Sequence, residues 1–283
     1  MAVTIELIKD LREKSGAGMS DCKKALEETN GDIPKAIEYL RKKGAAMATK
    51  RADKIAKEGA VKSQISEDKS KGVIIEVNCE TDFVSKGDGF QNFAQGIANT
   101  ALASSSNDAA HLLSVKGENG LTVQETIDSM MGSVGEKIEL RRVRFISVEG
   151  GFVSTYIHFG SKVGAIIGMK GKYSEEANDI GHKMAMQIVA MTPINVRRDE
   201  VSADIIEKEL EIYQQQARNE KKPENIIEKI TMNRLEKFFQ ENCLLEQEFI
   251  QDSSKAVGDL LKDFTKATGE PLDVTEMARF QLG

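Results

Sequence analysis

The amino-acid sequence predicts an α+β protein. It reads as an amino-terminal three-helix bundle, two related α/β lobes with antiparallel sheets, and an inserted antiparallel helical hairpin. Three observations lead there. Apolar residues near the amino terminus recur at helical spacing in three short blocks. The middle of the chain twice repeats a strand–strand–helix theme. A charged stretch beyond it carries a narrow apolar seam interrupted at Pro223. The boundaries that follow are a bundle plus linker at 1–54, a first lobe at 55–135, a second at 136–198, the hairpin at 199–242, and a return to the second lobe at 243–283.

In the bundle, Ile5, Ile8 and Leu11 share one face, as do Cys22, Ala25, Leu26 and Thr29, then Ile33, Ala36, Ile37 and Leu40. Ser15-Gly16-Ala17-Gly18-Met19 supplies the first turn, where glycine permits close backbone approach. Asn30-Gly31 stops the second helix, and Asp32 caps the third with Pro34 in its first turn. Three helices in this length, with a Gly-Met loop, resemble a ubiquitin-associated-type bundle, a likeness of fold that does not establish ubiquitin binding. Residues 41–62 are basic and small. Interleaved Asp53 and Glu58 dilute that charge, so a solvated hinge, with helix where its alanines fall, is expected there rather than an RNA contact.

The first lobe takes strands from Val61, Ile65 and the run 73–77 around a turn at 68–72. Its helix carries Phe90, Phe93, Ala94, Ile97, Ala98 and Ala101 on one stripe. Thr122-Val123-Gln124-Glu125 has the pattern of a capping box, opening a helix through Val134. Residues 138–148, 152–159 and 163–169 are assigned as strands of the second lobe, followed by a helix with Ala177, Ile180, Met184, Ile188 and Met191 in register. In the hairpin, Val201, Ile205, Ile206, Leu210 and Tyr213 face Ile226, Ile227, Ile230, Leu235 and Phe238 across a turn that Pro223 ends. Such a hairpin is a candidate contact for a homodimer.

Composition narrows the function. At 283 residues the chain exceeds what one core usually serves, and 40% hydrophobic with 30% charged content fits a folded, non-membrane protein. A net charge of −6 with 5% aromatics and no Trp disfavours a dedicated nucleic-acid binder, which needs surplus cations and stacking rings. Cys22, Cys79 and Cys243 are odd in number and widely spaced, as expected of free thiols in a reducing compartment. No apolar run approaches the ~20 residues of a membrane span. The first residues lack the basic-then-apolar order of a secretory signal, so a cytoplasmic protein is expected. There is no Gly-x-x-x-x-Gly-Lys-Ser/Thr phosphate loop, and His111, His158 and His182 lack metal-ligand spacing. No carboxylate pair stands out. The expectation is a protein with no chemical active site and no cofactor.

The most informative segment is Glu76-Val77-Asn78-Cys79-Glu80-Thr81-Asp82-Phe83-Val84-Ser85-Lys86, where a strand-like run ends and an acidic residue stands beside a large aromatic. At such a corner Phe83 either plugs the core or projects as an anchor for a partner, and core is the commoner fate of phenylalanine. This run resembles the signature of the elongation factor Ts family, in which the Asp-Phe pair of a Thr-Asp-Phe-Val loop enters elongation factor Tu. A second block, Leu11-Arg12-Glu13-Lys14-Ser15-Gly16-Ala17-Gly18-Met19-Ser20-Asp21-Cys22-Lys23-Lys24-Ala25-Leu26, resembles the family's amino-terminal signature, with Ser15 where the family usually has Thr. The likeness covers nearly the whole chain.

The resemblance implies a guanine-nucleotide exchange factor for elongation factor Tu, one that promotes GDP release by disrupting the magnesium and phosphate site of that GTPase. It implies Thr81, Asp82, Phe83 and Val84 as the exchange loop, with Phe83 as the apolar wedge and Asp82 accepting hydrogen bonds or shaping the loop. Arg12, Met19 and Ser20 fall where the family touches its partner beside the nucleotide, although the family often has a second Met at the position of Ser20. His158, in Tyr156-Ile157-His158-Phe159-Gly160, matches a strand-end histidine that contacts the partner. Read from the residues alone, it serves equally as a structural histidine. The chain closes with Met277-Ala278-Arg279-Phe280-Gln281-Leu282-Gly283, like the family's final core strand. Some members carry a further helix there, so a smaller interface is expected here. The rival from another class is a non-catalytic adaptor or RNA-associated protein, which would need a basic, aromatic-bearing sheet face that the sequence does not display.

Overall fold

Two three-stranded antiparallel sheets stand face to face at the centre of the molecule, with helices on their outer sides. The computed structural model describes residues 3–15 and 17–283. The first sheet has the order β1 (Glu58–Ile65), β2 (Lys71–Cys79), β3 (Ile138–Ser147). The second has the order β4 (Gly151–Ile157), β5 (Val163–Lys170), β8 (Asp273–Gln281). Val61, Ile74, Ile146 and Val148 of the first meet Val153, Ile166 and Phe280 of the second in one shared cluster. The approach is close: a Cβ on Gly72 would stand 2.6 Å from Val153 Cγ1. The class is α+β.

β2 is buried along nearly its whole length, which explains its uninterrupted apolar run. Val73, Ile75, Val77 and Cys79 face helices α5 (Asp88–Ser104), α6 (Ala109–Ser114) and α7 (Val123–Val134), while Ile74 faces the other sheet. Glu76 lies on that inner face and is fully buried. It accepts from Arg142 Nε at 2.6 Å and Asn78 Nδ2 at 3.2 Å, the pairing a buried carboxylate needs. Arg142 stacks 4.3 Å over the Phe280 ring and donates to the Gln281 carbonyl, tying β3 to β8. The assignment of 138–148 to the second lobe is therefore corrected. β3 pairs with β2 from Ile138 to Ser147, a long-range choice that local periodicity does not encode.

The amino-terminal helices α1 (Ile5–Ser15), α2 (Met19–Glu28) and α3 (Ile33–Lys50) enclose Leu11, Cys22, Ala25, Leu26 and Ala36. Asp32 caps α3 by accepting from the Lys35 amide. The linker expected within 41–62 is helical through its alanines, since α3 runs to Lys50, but that part is not solvated as expected, because it lies against α7. Gly44 makes the crossing feasible, since a Cβ there would meet the Asp128 carbonyl oxygen at 2.1 Å. Arg41 pairs with Glu125, and Ser129 Oγ donates to the Ser15 carbonyl at 2.9 Å. The capping box of α7, Thr122 with Glu125, is present as the sequence predicts.

α8 (Glu175–Met191) and α11 (Val257–Thr268) cover the second sheet, packing on Phe152, Ala165, Ile167 and Met169. Between them the chain leaves into α9 (Ala203–Asn219) and returns through α10 (Glu224–Asn242), whose seam joins Leu235 and Phe239 to Ile206 and Leu210. The two helices are antiparallel, with Arg234 reaching back to Gln216 and Glu220 near the turn. At the base, Leu244 N donates to Asn195 O, and Arg198 clasps both Glu236 and Glu246 over the Phe239 ring. A short β6 (Glu248–Phe249) and β7 (Asp252–Ala256) pair then lead into α11. No helix among the described residues is long and apolar enough to cross a membrane.

Candidate partner-binding site

The residues after β2 form a braced turn. Cys79 ends the strand, and its Sγ donates to the Thr81 carbonyl at 3.2 Å. Burial pushes this thiol up to about 12, so it stays protonated and able to donate. Glu80 accepts from Arg51 Nη1 through both carboxylate oxygens, at 2.7 and 2.8 Å, and from the Lys137 amide at 2.6 Å. Burial raises the Glu80 carboxyl, but the Lys137 amide and Arg51 outweigh it and hold the group below its ordinary range. Thr81 is gripped by Glu136, which accepts its amide at 3.0 Å and its hydroxyl at 2.6 Å.

Where a loop is expected, residues Asp82–Ser85 make a single helical turn, α4. Thr81 caps it by accepting from the Val84 amide. Lys86 Nζ donates to Asp82 Oδ2 at 2.7 Å, and this bond and its charge keep the Asp82 carboxyl low. Val84 packs partly against the first core, so its neighbour Phe83 points away and is 89% exposed. The aromatic that fills the core is Phe90, seven positions on, paired with Phe93 at 5.8 Å. Phe83 is not a core plug.

A second tip lies beside the first. The turn between β4 and β5 holds His158, whose Nδ1 lies 2.8 Å from the Tyr156 hydroxyl, and Phe159, 97% exposed. Lys162 in this turn pairs with Glu58 at 2.8 Å, and its charge also helps lower Asp82. Glu58 itself stands opposite Cys79 across β1 and β2, so both tips share one end of the molecule. Arg12, Met19 and Ser20 lie elsewhere, exposed on the bundle at the end of α1 and the start of α2. Ser15 keeps a structural task there: its hydroxyl donates to Leu11 O at 2.6 Å and accepts from the Ala17 amide.

Sequence reasoning named His158 but passed over Phe159, Glu136, Arg51 and Lys162. The available signal was an aromatic beside Gly160 between two strand runs, an unusual residue for a turn tip. The bracing partners come from distant sequence and carry no local signal. The whole arrangement holds a large apolar ring in water on a turn fixed at several points.

Residues 80–283 match the family described as Elongation factor TS. The chain is similar to the elongation factor Ts of Chlorobium phaeobacteroides (strain BS1), 49% identical over 284 residues and covering 99% of each chain. It is likewise similar to that of Prosthecochloris aestuarii, 49% identical over 98% of this chain and 97% of the relative. The Clostridium perfringens (strain SM101 / Type A) protein is 42% identical over 99% of this chain and 93% of its own.

Proposed function

The chain belongs to the elongation factor Ts family, and from that premise we propose that this translation elongation factor is the guanine-nucleotide exchange factor of elongation factor Tu. The observation that carries the reading is Phe83, exposed on a turn that Glu136, Arg51 and Thr81 hold rigid. A preorganised apolar prong is suited to wedge between elements of a partner, because little of its binding free energy goes into ordering the loop.

Exchange is then a matter of linkage. A factor that binds the nucleotide-free GTPase more tightly than the GDP-bound form lowers GDP affinity by the same ratio. Mg²⁺ in the GTPase demands near-octahedral oxygen geometry, so a small displacement of the loops around it loosens metal and phosphate together. Phe83 acts as the wedge. Asp82, bonded to Lys86, shapes the turn, while Thr81 caps it and is held by Glu136, and Val84 packs on the core. Arg12, Met19 and Ser20 form a second contact beside the nucleotide, and His158 a third from the second sheet. The module layout is the bundle at 1–54, the sheet-bearing core, and the hairpin at 199–242 as an outgrowth. The protein acts in the cytoplasm, with no chemical step of its own.

The test is release of fluorescent GDP from cognate elongation factor Tu. Catalytic amounts of the chain should accelerate release without GTP hydrolysis by the chain alone. Release unchanged by equimolar protein would sink the reading.

A further inference from the structure

Among the described residues, no large apolar side chain is more exposed than Phe159 at 97%, and Phe83 follows at 89%. A ring left in water adds nothing to the folding of the isolated chain. The turn that carries Phe159 is nevertheless tightly specified. His158 N donates to Val163 O and Ser161 N to His158 O, both at 2.9 Å. The next two residues, Gly160 at φ +82° and Ser161 at φ +55°, are both left-handed, a conformation serine holds only where its surroundings impose it.

Those surroundings come from other strands. Val61 N of β1 donates to Ser161 O at 2.7 Å, and Leu282 N, just past β8, donates to Lys162 O at 2.9 Å. Lys162 Nζ meets Glu58 Oε2 at 2.8 Å. Behind the tip, the Tyr156 ring packs edge-on to His182 at 5.5 Å, and the His182 Nδ1 sits 3.0 Å from the Thr155 carbonyl oxygen. The ring of Phe159 is therefore presented by a fixed support.

Glu58 connects the two prongs. It is the first residue of β1, it faces Cys79 across the ladder just before Thr81, and it holds Lys162 by its carboxylate. A specific interface buries about 800 Å² on each partner, a footprint on the order of 30 Å across. A surface of that size seated on Phe83 also covers a turn joined to the same strand end. We propose that Phe159 is a second aromatic anchor for the elongation factor Tu-type GTPase, entering an apolar recess of that partner separate from the one that receives Phe83. This rests on the exchange-factor reading above. It adds a specificity determinant: the partner must offer two recesses at the spacing of the two turns.

The experiment measures binding of the full chain to nucleotide-free elongation factor Tu by calorimetry, together with thermal melting and sedimentation of the chain alone. Phe159→Ala should melt as the parent does and raise Kd about 30-fold or more, the level of an interface hot spot. Phe83→Ala should do the same. The double variant should show the product of the two losses, because the two rings enter separate recesses. A parent that binds while Phe159→Ala stays within about twofold of it overturns this inference and leaves the exchange-factor reading intact. A parent that fails to bind overturns both. Unchanged GTPase binding with loss of a self-associated form of the chain also overturns it, and assigns Phe159 to a contact between copies.

Discussion

Glu136 holds Thr81 twice, accepting its amide at 3.0 Å and its hydroxyl at 2.6 Å. One residue precedes β3 and the other caps α4, so the turn that carries Phe83 is fixed to the sheet rather than to its own short helix. Glu136→Ala should cost about 1–2 kcal/mol of stability, since hydrogen bonds to a charged acceptor are lost at a part-exposed site. The more telling readout is amide hydrogen exchange at residues 81–85, which should accelerate selectively. Unchanged protection there would show that the clasp is not what orders the turn.

Phe83→Ala should leave stability within ~0.5 kcal/mol of the parent, because the ring touches water rather than core. Phe90→Ala, by contrast, should cost on the order of 3–5 kcal/mol. Complex formation with elongation factor Tu should weaken by roughly 2 kcal/mol or more for Phe83→Ala, and exchange should fall with it. Equal destabilisation by the two substitutions in urea titrations would refute this assignment.

At Gly44, α3 packs closely against α7. Gly44→Ala drives a methyl into the Asp128 carbonyl and should cost about 1–3 kcal/mol as the helices move apart. Gly96, exposed in α5 with nothing near its would-be Cβ, is the control: Gly96→Ala should stabilise by about 0.5–1 kcal/mol. Paired melts of the two variants give the answer. A neutral Gly44→Ala would mean that α3 rides loosely on α7.

Glu80 gives the Arg51 clamp a pH dependence of predictable sign. Its carboxyl is held below the ordinary 4.5, so the stabilisation is full above that value and is lost as pH falls through the lower folded one. The difference in melting between the parent and Glu80→Gln should thus be constant from neutral pH to about 5 and shrink only in stronger acid. A difference that shrank between pH 7 and 6 would assign the effect to another group.

The outer half of the hairpin should be separable from the core. The seam of the inner half, Leu235 and Phe239 on Ile206 and Leu210, lies outside residues 211–230 and belongs to a cluster distinct from the one under the second sheet. Replacing residues 211–230 with a short Gly-Ser connection should preserve cooperative melting and basal exchange. Aggregation of that variant would place the hairpin within the main fold.

Much of this molecule is legible in the order of its residues, because helix stripes, strand runs and caps are local patterns. The 73–77 run becomes the buried centre of β2, Thr122 and Glu125 form their capping box, and the Phe90–Ala101 stripe becomes the core face of α5. The family is equally a property of the sequence, since its motifs are contiguous. Tertiary structure decided the rest, through contacts between residues far apart in the chain. Pairing moved β3 to the first sheet, and the Gly44 crossing docked a helical stretch expected to be solvated. Whether Phe83 filled the core or left it depended on Val84 taking the inward position while Glu136, from far along the chain, held the turn. Phe159 stands outward for the same reason: the atoms that shape its turn belong to β1 and to the residue after β8, which no local reading of residues 158–162 contains.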